Sequence, residues 1–574
     1  MKLAKVSSFN ELLVNILIEE LSRHKIDAYF ISPGSRSTPL TSTVAHNSHL
    51  KTYIHYDERG AAFQALGYAK ATQKPGVLIC TSGSAATNYY PAIAEASADN
   101  IPMVVLTADR PPELHNVLAN QTFNQQNLFG THVRAFYNIE PPTKHSSFKI
   151  ILQNFSTTIS KVVANPKGPI HINCMFCEPL VHAKRKKDFS QYILEIKDWI
   201  ESDKPYAKIN KSRTIHKPDI GFDKKISTIL IAGAMQIKKE SKAVLDFAER
   251  FNLPLFADIR SGLRLSKKSE NLISYYDQML TAKMLQTDRQ YQIIHVGGNI
   301  VSKRLMQFIE KSNIKTYYVL HNSKNAYNPH HKLTHSSNGE LIKLLQQMAD
   351  KLQPFDKTFL KQMQDCNKKI KKTLAAYSYN FSEISIARIL SQQVAKNSFI
   401  YSANSLSIRL MDMFAEPSEM NCTIIANRGL SGIDGTIASA VGYANGAKKS
   451  GTLLIGDLAF QHDLNSLSLL EKSEYPIVLV ILNNNGGKIF SSLPIAKDTK
   501  IFNAYFETPQ NMTFESIAKQ YSLPYYFISS SRQFSEVFNK AQKTKKSVII
   551  EIGLQDSEIK QEQNKIQATI KKLQ

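Results

Sequence analysis

The sequence predicts an α/β protein made of three consecutive domains, each built around a parallel sheet. Three observations predict this. Short apolar runs recur along the chain and are followed by helical periodicity, the pattern of βαβ units. The 574 residues exceed what one ordinary core organises. Two polar, charged stretches without strand-like runs divide the apolar segments into three groups.

Taken in order, MKLAKVSSFNELLVNILIEEL at the N-terminus reads as an amphipathic helix, not a signal sequence. Within residues 1–182 the strand-like runs AYFIS, TYIHY, VLIC, MVVLTA and PIHIN alternate with the helical segments GAAFQALGYAKA and ATNYYPAIAEASA. Residues 183–224, with HAKRKKDF and KINKSR, read as a linker. Residues 225–355 hold STILIAGAM, KAVLDFAERF, LPLFAD, QIIHVGGN and TYYVLHN, a second and Rossmann-like unit. A charged helical segment at 356–379 joins it to the third unit, 380–574, with FIYSAN, TIIANRG, TLLIGD, IVLVILNNN, LPYYFI and SVIIEI.

Composition narrows the function classes. Hydrophobic content of 43% and charged content of 21% are ordinary for a folded chain, and no apolar run reaches the roughly 18 residues of a membrane span. Five scattered cysteines, Cys80, Cys174, Cys177, Cys366 and Cys422, fit reduced thiols, so a cytoplasmic location is expected. Cys174 and Cys177 form one CxxC with no second pair to complete a zinc site. The net charge of +23 invites a nucleic-acid reading, but the sequence carries no helix-turn-helix, zinc-finger or aromatic-basic signature. Small anionic substrates and a phosphate-bearing cofactor use that charge better.

The stretch GDLAFQHDLNSLSLLEKSEYPIVLVILNNNGG (456–487) carries the first chemistry. TLLIGD reads as a buried strand ending at Asp457 and IVLVIL as another ending at Asn483; in open α/β sheets both ends emerge at the ligand-binding edge. A hard cation such as Mg²⁺ takes about six oxygens. A carboxylate from Asp457, an amide oxygen from Asn484, the carbonyl of Gly486, two phosphate oxygens and a water would supply them. Gly486 and Gly487 permit close approach to a diphosphate. Taken alone, the same residues also fit a helix-capping aspartate followed by an unrelated turn.

At Gly456, Asp457 and the later Asn484 the chain resembles the thiamine-diphosphate-dependent enzymes, with Leu458 where a third glycine is usual. Further motifs carry the resemblance: SPGSRSTPL (32–40), HYDERGAAFQALGYAKAT (55–72), TSGSAATNYYPAIAEA (81–96), LTADRPPEL (106–114), NQTFNQ (120–125), NRGLSGIDG (427–435) and NNNGGKIFSSLP (483–494). They are similar to the carboligase branch serving menaquinone biosynthesis, in which GDL occurs. The match covers the first and third domains; the middle matches more loosely, through GGNIVSKRL (297–305).

The resemblance implies a pyruvate-decarboxylase-like architecture of pyrimidine-binding, central and diphosphate-binding domains. It also implies thiamine diphosphate with Mg²⁺ or Mn²⁺, and a homodimer or homotetramer with cofactor held between subunits. The implied reaction is loss of CO₂ from 2-oxoglutarate and addition of the remaining four-carbon unit to the ring alkene of isochorismate. Glu58, after TYIHY and opening the next helix, would be the catalytic carboxyl at N1′ of the aminopyrimidine; an apolar setting would raise its pKa. Gly432, Ile433, Asp457, Leu458, Asn484, Gly486, Ile489, Phe490 and Leu493 would line the cofactor, and Asp457, Asn484 and Gly486 would bind the metal. The substrates are carboxylate-bearing anions, which suit arginine forks. Arg36, Arg110, Arg409, Arg428, Lys303 and Arg304 are the candidates, with Ser35, Gln121 and Ser405 adding neutral hydrogen bonds. Two rival readings remain: another thiamine-dependent 2-keto-acid decarboxylase or acetolactate-type carboligase, and a nucleotide-binding or basic interaction protein. Against the latter, IAGAM and VGGN do not form a GxGxxG turn.

Overall fold

A computed structural model of the chain describes residues 4–207, 221–323, 325–554 and 559–573; KINKSR of the linker lies outside them. Three sheets form as the apolar runs require, and their main ladders are parallel. The first comprises β1 (Ala28–Ile31), β2 (Lys51–Ile54), β3 (Gly76–Cys80), β4 (Met103–Asp109), β5 (Phe136–Ile139) and β6 (Pro169–Met175), in the order β2-β1-β3-β4-β6-β5. The central sheet comprises β7 (Ser227–Ala232), β8 (Leu255–Ala257), β9 (Gln290–Val296), β10 (Asn313–His321) and β11 (His335–Asn338), in the order β8-β7-β9-β10-β11. The third comprises β12 (Phe399–Ser402), β13 (Thr423–Ile425), β14 (Gly451–Gly456), β15 (Ile477–Asn483), β16 (Tyr525–Ile528) and β17 (Val548–Gly553), in the order β13-β12-β14-β15-β17-β16. Inner strands such as β4 and β15 are buried along their whole length, the condition under which a strand reads as a continuous apolar run.

Packing divides the chain differently from covalent order. Two compact units form: one gathers Met1–Ser212, Asn427–Lys448 and Asp463–Glu474, the other Arg213–Ala426, Lys449–His462 and Tyr475–Gln574. The central and third sheets thus share one unit. The helix Thr436–Ala447 belongs to the first unit because its small residues let it lie close on the helix Glu58–Thr72. A Cβ on Gly442 would strike the Gln64 carbonyl, and one on Gly67 the Ser439 carbonyl. Only glycine permits that approach.

Each sheet has a switch point beside its first strand, where the strand order reverses, and the crevice there is where an open α/β sheet receives ligands. It lies between β1 and β3 in the first sheet and between β12 and β14 in the third. In the central sheet the loops after β7 and β9 bond to each other: Ala234 N–H donates to Asn299 O at 3.1 Å and Gly298 N–H to Ala234 O at 3.0 Å. These two bonds join the loops across the switch point.

Candidate functional site

In the first unit the candidate residues sit just past strand ends. Glu58 opens the helix Glu58–Thr72, whose N-cap Asp57 accepts the Gly60 N–H at 3.2 Å. Glu58 is half-buried, and burial, reinforced by the charge of Asp57, holds its carboxyl above the ordinary carboxylate range. Its surroundings include the buried Cys80 and Tyr89.

Arg36 follows β1 and Arg110 follows β4. Arg36 is buried, donates from Nη1 to the Phe176 carbonyl at 3.0 Å and lies 3.4 Å from the exposed Glu178 carboxylate. Burial first, and the neighbouring Arg110 second, lower its pKa. The Nε groups of Arg36 and Arg110 are both buried without a hydrogen-bond acceptor among the described residues. Two adjacent guanidiniums with spare buried donors are an arrangement that an anion satisfies. Ser35 is exposed beside them. Gln121 takes a left-handed backbone (φ 58°) and donates from Nε2 to the Ser82 carbonyl at 2.8 Å. A buried network steadies this region: Asn173 donates to Asp109 at 2.8 Å, and Asp109 accepts the Arg110 N–H at 2.7 Å.

The loop NRGLSGIDG also belongs to this unit and is fastened at both ends. Glu95 accepts the N–H groups of Gly429 and Leu430, Lys70 donates to Asn427 at 3.1 Å, and the buried Asp463 accepts the N–H of Ile437 at 2.7 Å. Between these anchors Arg428 and Gly432 are half-buried and Ile433 is 37% exposed, so the middle of the loop is presented outward.

In the second unit the cofactor motif folds as a compact cluster. Asp457 follows β14, and Asn484 follows its neighbour β15. Asp457 is 4% exposed; its Oδ1 accepts the Leu458 N–H at 2.8 Å and its Oδ2 the Gly486 N–H at 2.7 Å. Burial raises its pKa, and only backbone N–H groups act against that cost. A buried carboxylate so placed calls for a cation. Gly486 has φ 123°, and a Cβ there would collide with the Glu507 carbonyl, so this position excludes a side chain. Its own carbonyl accepts the Lys488 N–H at 2.9 Å, which leaves one lone pair for a metal. Asn484 is buried and donates from Nδ2 to Glu383 at 2.8 Å. Among the described residues no group of three His, Cys, Asp or Glu side chains is placed to hold a metal. Asp457, Asn484 and Gly486 offer one carboxylate and two neutral oxygens, a donor set that a hard cation would complete with phosphate and water. Ile489 and Phe490 are half-buried and Leu493 is 41% exposed, on a single turn following this cluster.

The substrate candidates of this unit are separate from one another in kind. Arg409 donates from Nη1 to the Ser405 carbonyl at 2.5 Å, and burial lowers its pKa. Ser405 has φ 64°, a left-handed conformation that turns the chain into the helix Leu406–Phe414. Arg304 donates to the buried Asp277 at 2.6 Å and touches the Met413 sulfur at 3.3 Å. Lys303 is exposed at the start of the same helix, Lys303–Lys311.

Sequence reasoning missed Glu95, Asp463, Glu383 and Asp277. The first left a signal, an acid within the small, apolar helical run ATNYYPAIAEASA.

Comparisons with known proteins identify the relatives of this chain. The family described as thiamine pyrophosphate enzyme, N-terminal TPP binding domain, matches residues 13–129; the middle domain matches 190–401 and the C-terminal TPP binding domain 414–552. A 2-succinyl-5-enolpyruvyl-6-hydroxy-3-cyclohexene-1-carboxylate synthase of Chlorobaculum parvum is 37% identical over 548 residues, covering 94% of this chain and 93% of that protein. The enzyme of the same name from Chlorobium phaeobacteroides is 37% identical over 553 residues, covering 94% of each chain. That of Pelodictyon phaeoclathratiforme is 36% identical over 577 residues, covering 98% of this chain and 96% of the other. The chain belongs to the 2-succinyl-5-enolpyruvyl-6-hydroxy-3-cyclohexene-1-carboxylate synthase family of thiamine-diphosphate-dependent enzymes.

Proposed function

We propose that the protein decarboxylates 2-oxoglutarate and joins the remaining four-carbon unit to isochorismate, in menaquinone biosynthesis, using thiamine diphosphate and Mg²⁺ or Mn²⁺. The observation that carries this reading over a pyruvate-using relative is the Arg36–Arg110 pair, whose buried Nε donors lack acceptors. Pyruvate has one carboxylate, which the reaction removes. Both 2-oxoglutarate and isochorismate keep a carboxylate to be held while bonds form.

Thiamine diphosphate, when bound, supplies the carbanion that lets a 2-keto acid lose CO₂. The chain's own residues bind, orient and tune. Asp457, Asn484 and the Gly486 carbonyl would hold the metal, while the missing side chains at Gly486 and Gly487 make room for the Glu507 and Phe506 carbonyls and not, as the sequence suggested, for the diphosphate. Glu58 holds a proton at N1′ of the aminopyrimidine, a role its half-buried, raised-pKa carboxyl suits. Gly432, Ile433, Leu458, Ile489, Phe490 and Leu493 exclude water from the cofactor. Arg409 and Arg428, with Ser405, and Arg36, Arg110, Lys303 and Arg304, with Ser35 and Gln121, orient the substrate anions.

The active species is a homodimer or homotetramer in which Glu58 of one chain and Asp457 of the partner subunit serve one cofactor molecule. Its location is the cytoplasm; among the described residues no helix is long and apolar enough to cross a membrane. The test is direct. Purified protein with thiamine diphosphate, Mg²⁺, 2-oxoglutarate and isochorismate should release CO₂ and form the adduct, whereas pyruvate should not replace 2-oxoglutarate. Turnover of pyruvate with no turnover of 2-oxoglutarate would establish an acetolactate-type reaction instead.

A further inference from the structure

We propose that Glu383 is a positioning residue for the metal site, fixing which end of the Asn484 amide faces the cation. The inference rests on the reading of Asp457, Asn484 and Gly486 as the metal's protein ligands.

An asparagine side chain carries an oxygen and an NH₂ at nearly equivalent places, and only the oxygen binds a hard cation. A site using asparagine as a neutral ligand therefore needs something to prevent the reversed amide. Glu383 meets that need. It is 1% exposed, and its Oε1 accepts the Asn484 Nδ2 at 2.8 Å. A carboxyl oxygen that accepts this bond holds the NH₂ end and leaves the amide oxygen on the opposite side. The bond also polarises the amide N–H, which raises electron density on that oxygen and makes it a better ligand.

Glu383 is itself held rigidly. It is the first residue of the helix Glu383–Gln393, which opens with a capping box between Ser382 and Ser385. The neighbouring Ser382 hydroxyl donates to the buried Glu562, and Glu562 Oε1 accepts the Asn380 N–H at 2.8 Å. An acid at the first turn of a helix has an ordinary role, favourable interaction with the helix dipole. Contact with Asn484 through the whole of a buried hydrogen bond is not required by that role, and the two explanations predict different results.

The experiment measures Mn²⁺ binding by electron paramagnetic resonance, and Mg²⁺ binding by calorimetry, on the full chain with saturating thiamine diphosphate. Glutamine can present either a donor or an acceptor, so Glu383→Gln should weaken metal binding roughly 10- to 100-fold while the metal-free thermal midpoint stays near that of the wild type. In an Asn484→Asp background there is no wrong end to present, and Glu383 has no amide left to orient. There Glu383→Gln should leave metal affinity unchanged or improve it. Equal weakening in both backgrounds, or unchanged affinity in the single variant, would overturn the proposal. If the double variant does not fold, the single variant's affinity and metal-free midpoint decide. Asp457→Ala is the control for the underlying reading: unaltered metal affinity in that variant refutes the metal site itself, whatever Glu383 does.

Discussion

Glu95 accepts the backbone N–H of Leu430 at 2.6 Å with one carboxylate oxygen and that of Gly429 at 2.8 Å with the other. The residue is 2% exposed and lies 3.7 Å from Lys70 Nζ. It ties the loop that carries Arg428, Gly432 and Ile433 to the helix Tyr90–Ala98. Glutamine offers one acceptor oxygen and turns an NH₂ toward the other N–H. Glu95→Gln should therefore lose a buried, charge-assisted bond, of about 1.5–3 kcal/mol, and lower the thermal midpoint by several degrees. Differential scanning calorimetry checks this; a midpoint equal to that of the wild type would show that the loop is held by its other contacts.

Glu58 behaves oppositely. Burial and Asp57 both disfavour its ionised form, so the charge does not stabilise the fold. Glu58→Gln should keep or raise the thermal midpoint and retain thiamine diphosphate binding, while turnover falls roughly 10²- to 10⁴-fold. Turnover within a factor of a few of the wild type would remove Glu58 from the proton chemistry.

Complementation tests the proposed assembly. If each cofactor is served by Glu58 of one chain and by the partner subunit's Asp457, a mixed dimer of Glu58→Gln and Asp457→Ala chains has one intact site and one doubly damaged site. Neither variant should be active alone, and the exchanged mixture should recover part of the wild-type rate. No recovery after verified exchange would mean that each site is built within one chain.

Much of the fold was legible in the sequence because inner parallel strands are covered on both faces. Runs such as MVVLTA and IVLVIL have few other uses, and the structure places them as β4 and β15. Two edge strands were not legible: β11 is HSSN, polar and largely exposed, and β5 is the half-buried FYNI. An edge strand need bury only one side, so it can form without a continuous apolar run. The helix expected through ATNYYPAIAEASA is two helices, Ser84–Asn88 and Tyr90–Ala98, divided at Tyr89 just before Pro91, where the ring cannot continue a backbone ladder. At the site, the addresses of Glu58, Arg110, Asp457 and Asn484 could be read because each closely follows a strand. Their partners could not. Glu383 meets Asn484, and Glu95 meets Leu430, across separations in sequence that no periodicity encodes.

The arginines separate substrate binding from cofactor binding. Arg409 is half-buried and bonded to a backbone carbonyl, so its removal breaks no ion pair among those described. Arg409→Ala and Arg428→Ala should each bind thiamine diphosphate normally and lose roughly tenfold to more than a hundredfold in kcat/KM for 2-oxoglutarate, isochorismate or both. Steady-state kinetics with each substrate varied in turn checks this. Wild-type values for both substrates in both variants would make these guanidiniums surface charge.

His295 is fully buried, with Nε2 2.9 Å from the Gly298 carbonyl and Nδ1 2.7 Å from the Tyr317 hydroxyl. A carbonyl only accepts, so Nε2 carries the proton and Nδ1 accepts from Tyr317; the ring is neutral. Burial pushes its pKa down to about 4, with His330 and His321 adding in the same direction and the Gly298 bond opposing. The unfolded chain binds this proton near the ordinary pKa of 6.5, and the native chain refuses it until about 4. The unfolded state therefore holds more protons in that window. The stability this residue contributes is whole above pH 6.5 and is lost progressively as the pH falls toward 4, by up to about 3 kcal/mol. His295→Gln cannot take up a proton. At pH 7 the variant should be less stable than the wild type, since it loses a buried bond, and the gap should narrow steadily on acidification. Urea denaturation of both proteins at intervals from pH 7.5 to 4.5 reads the gap directly. A gap that stayed constant over that range would mean that His295 keeps an ordinary pKa in the native protein and that its buried ring accepts the charge.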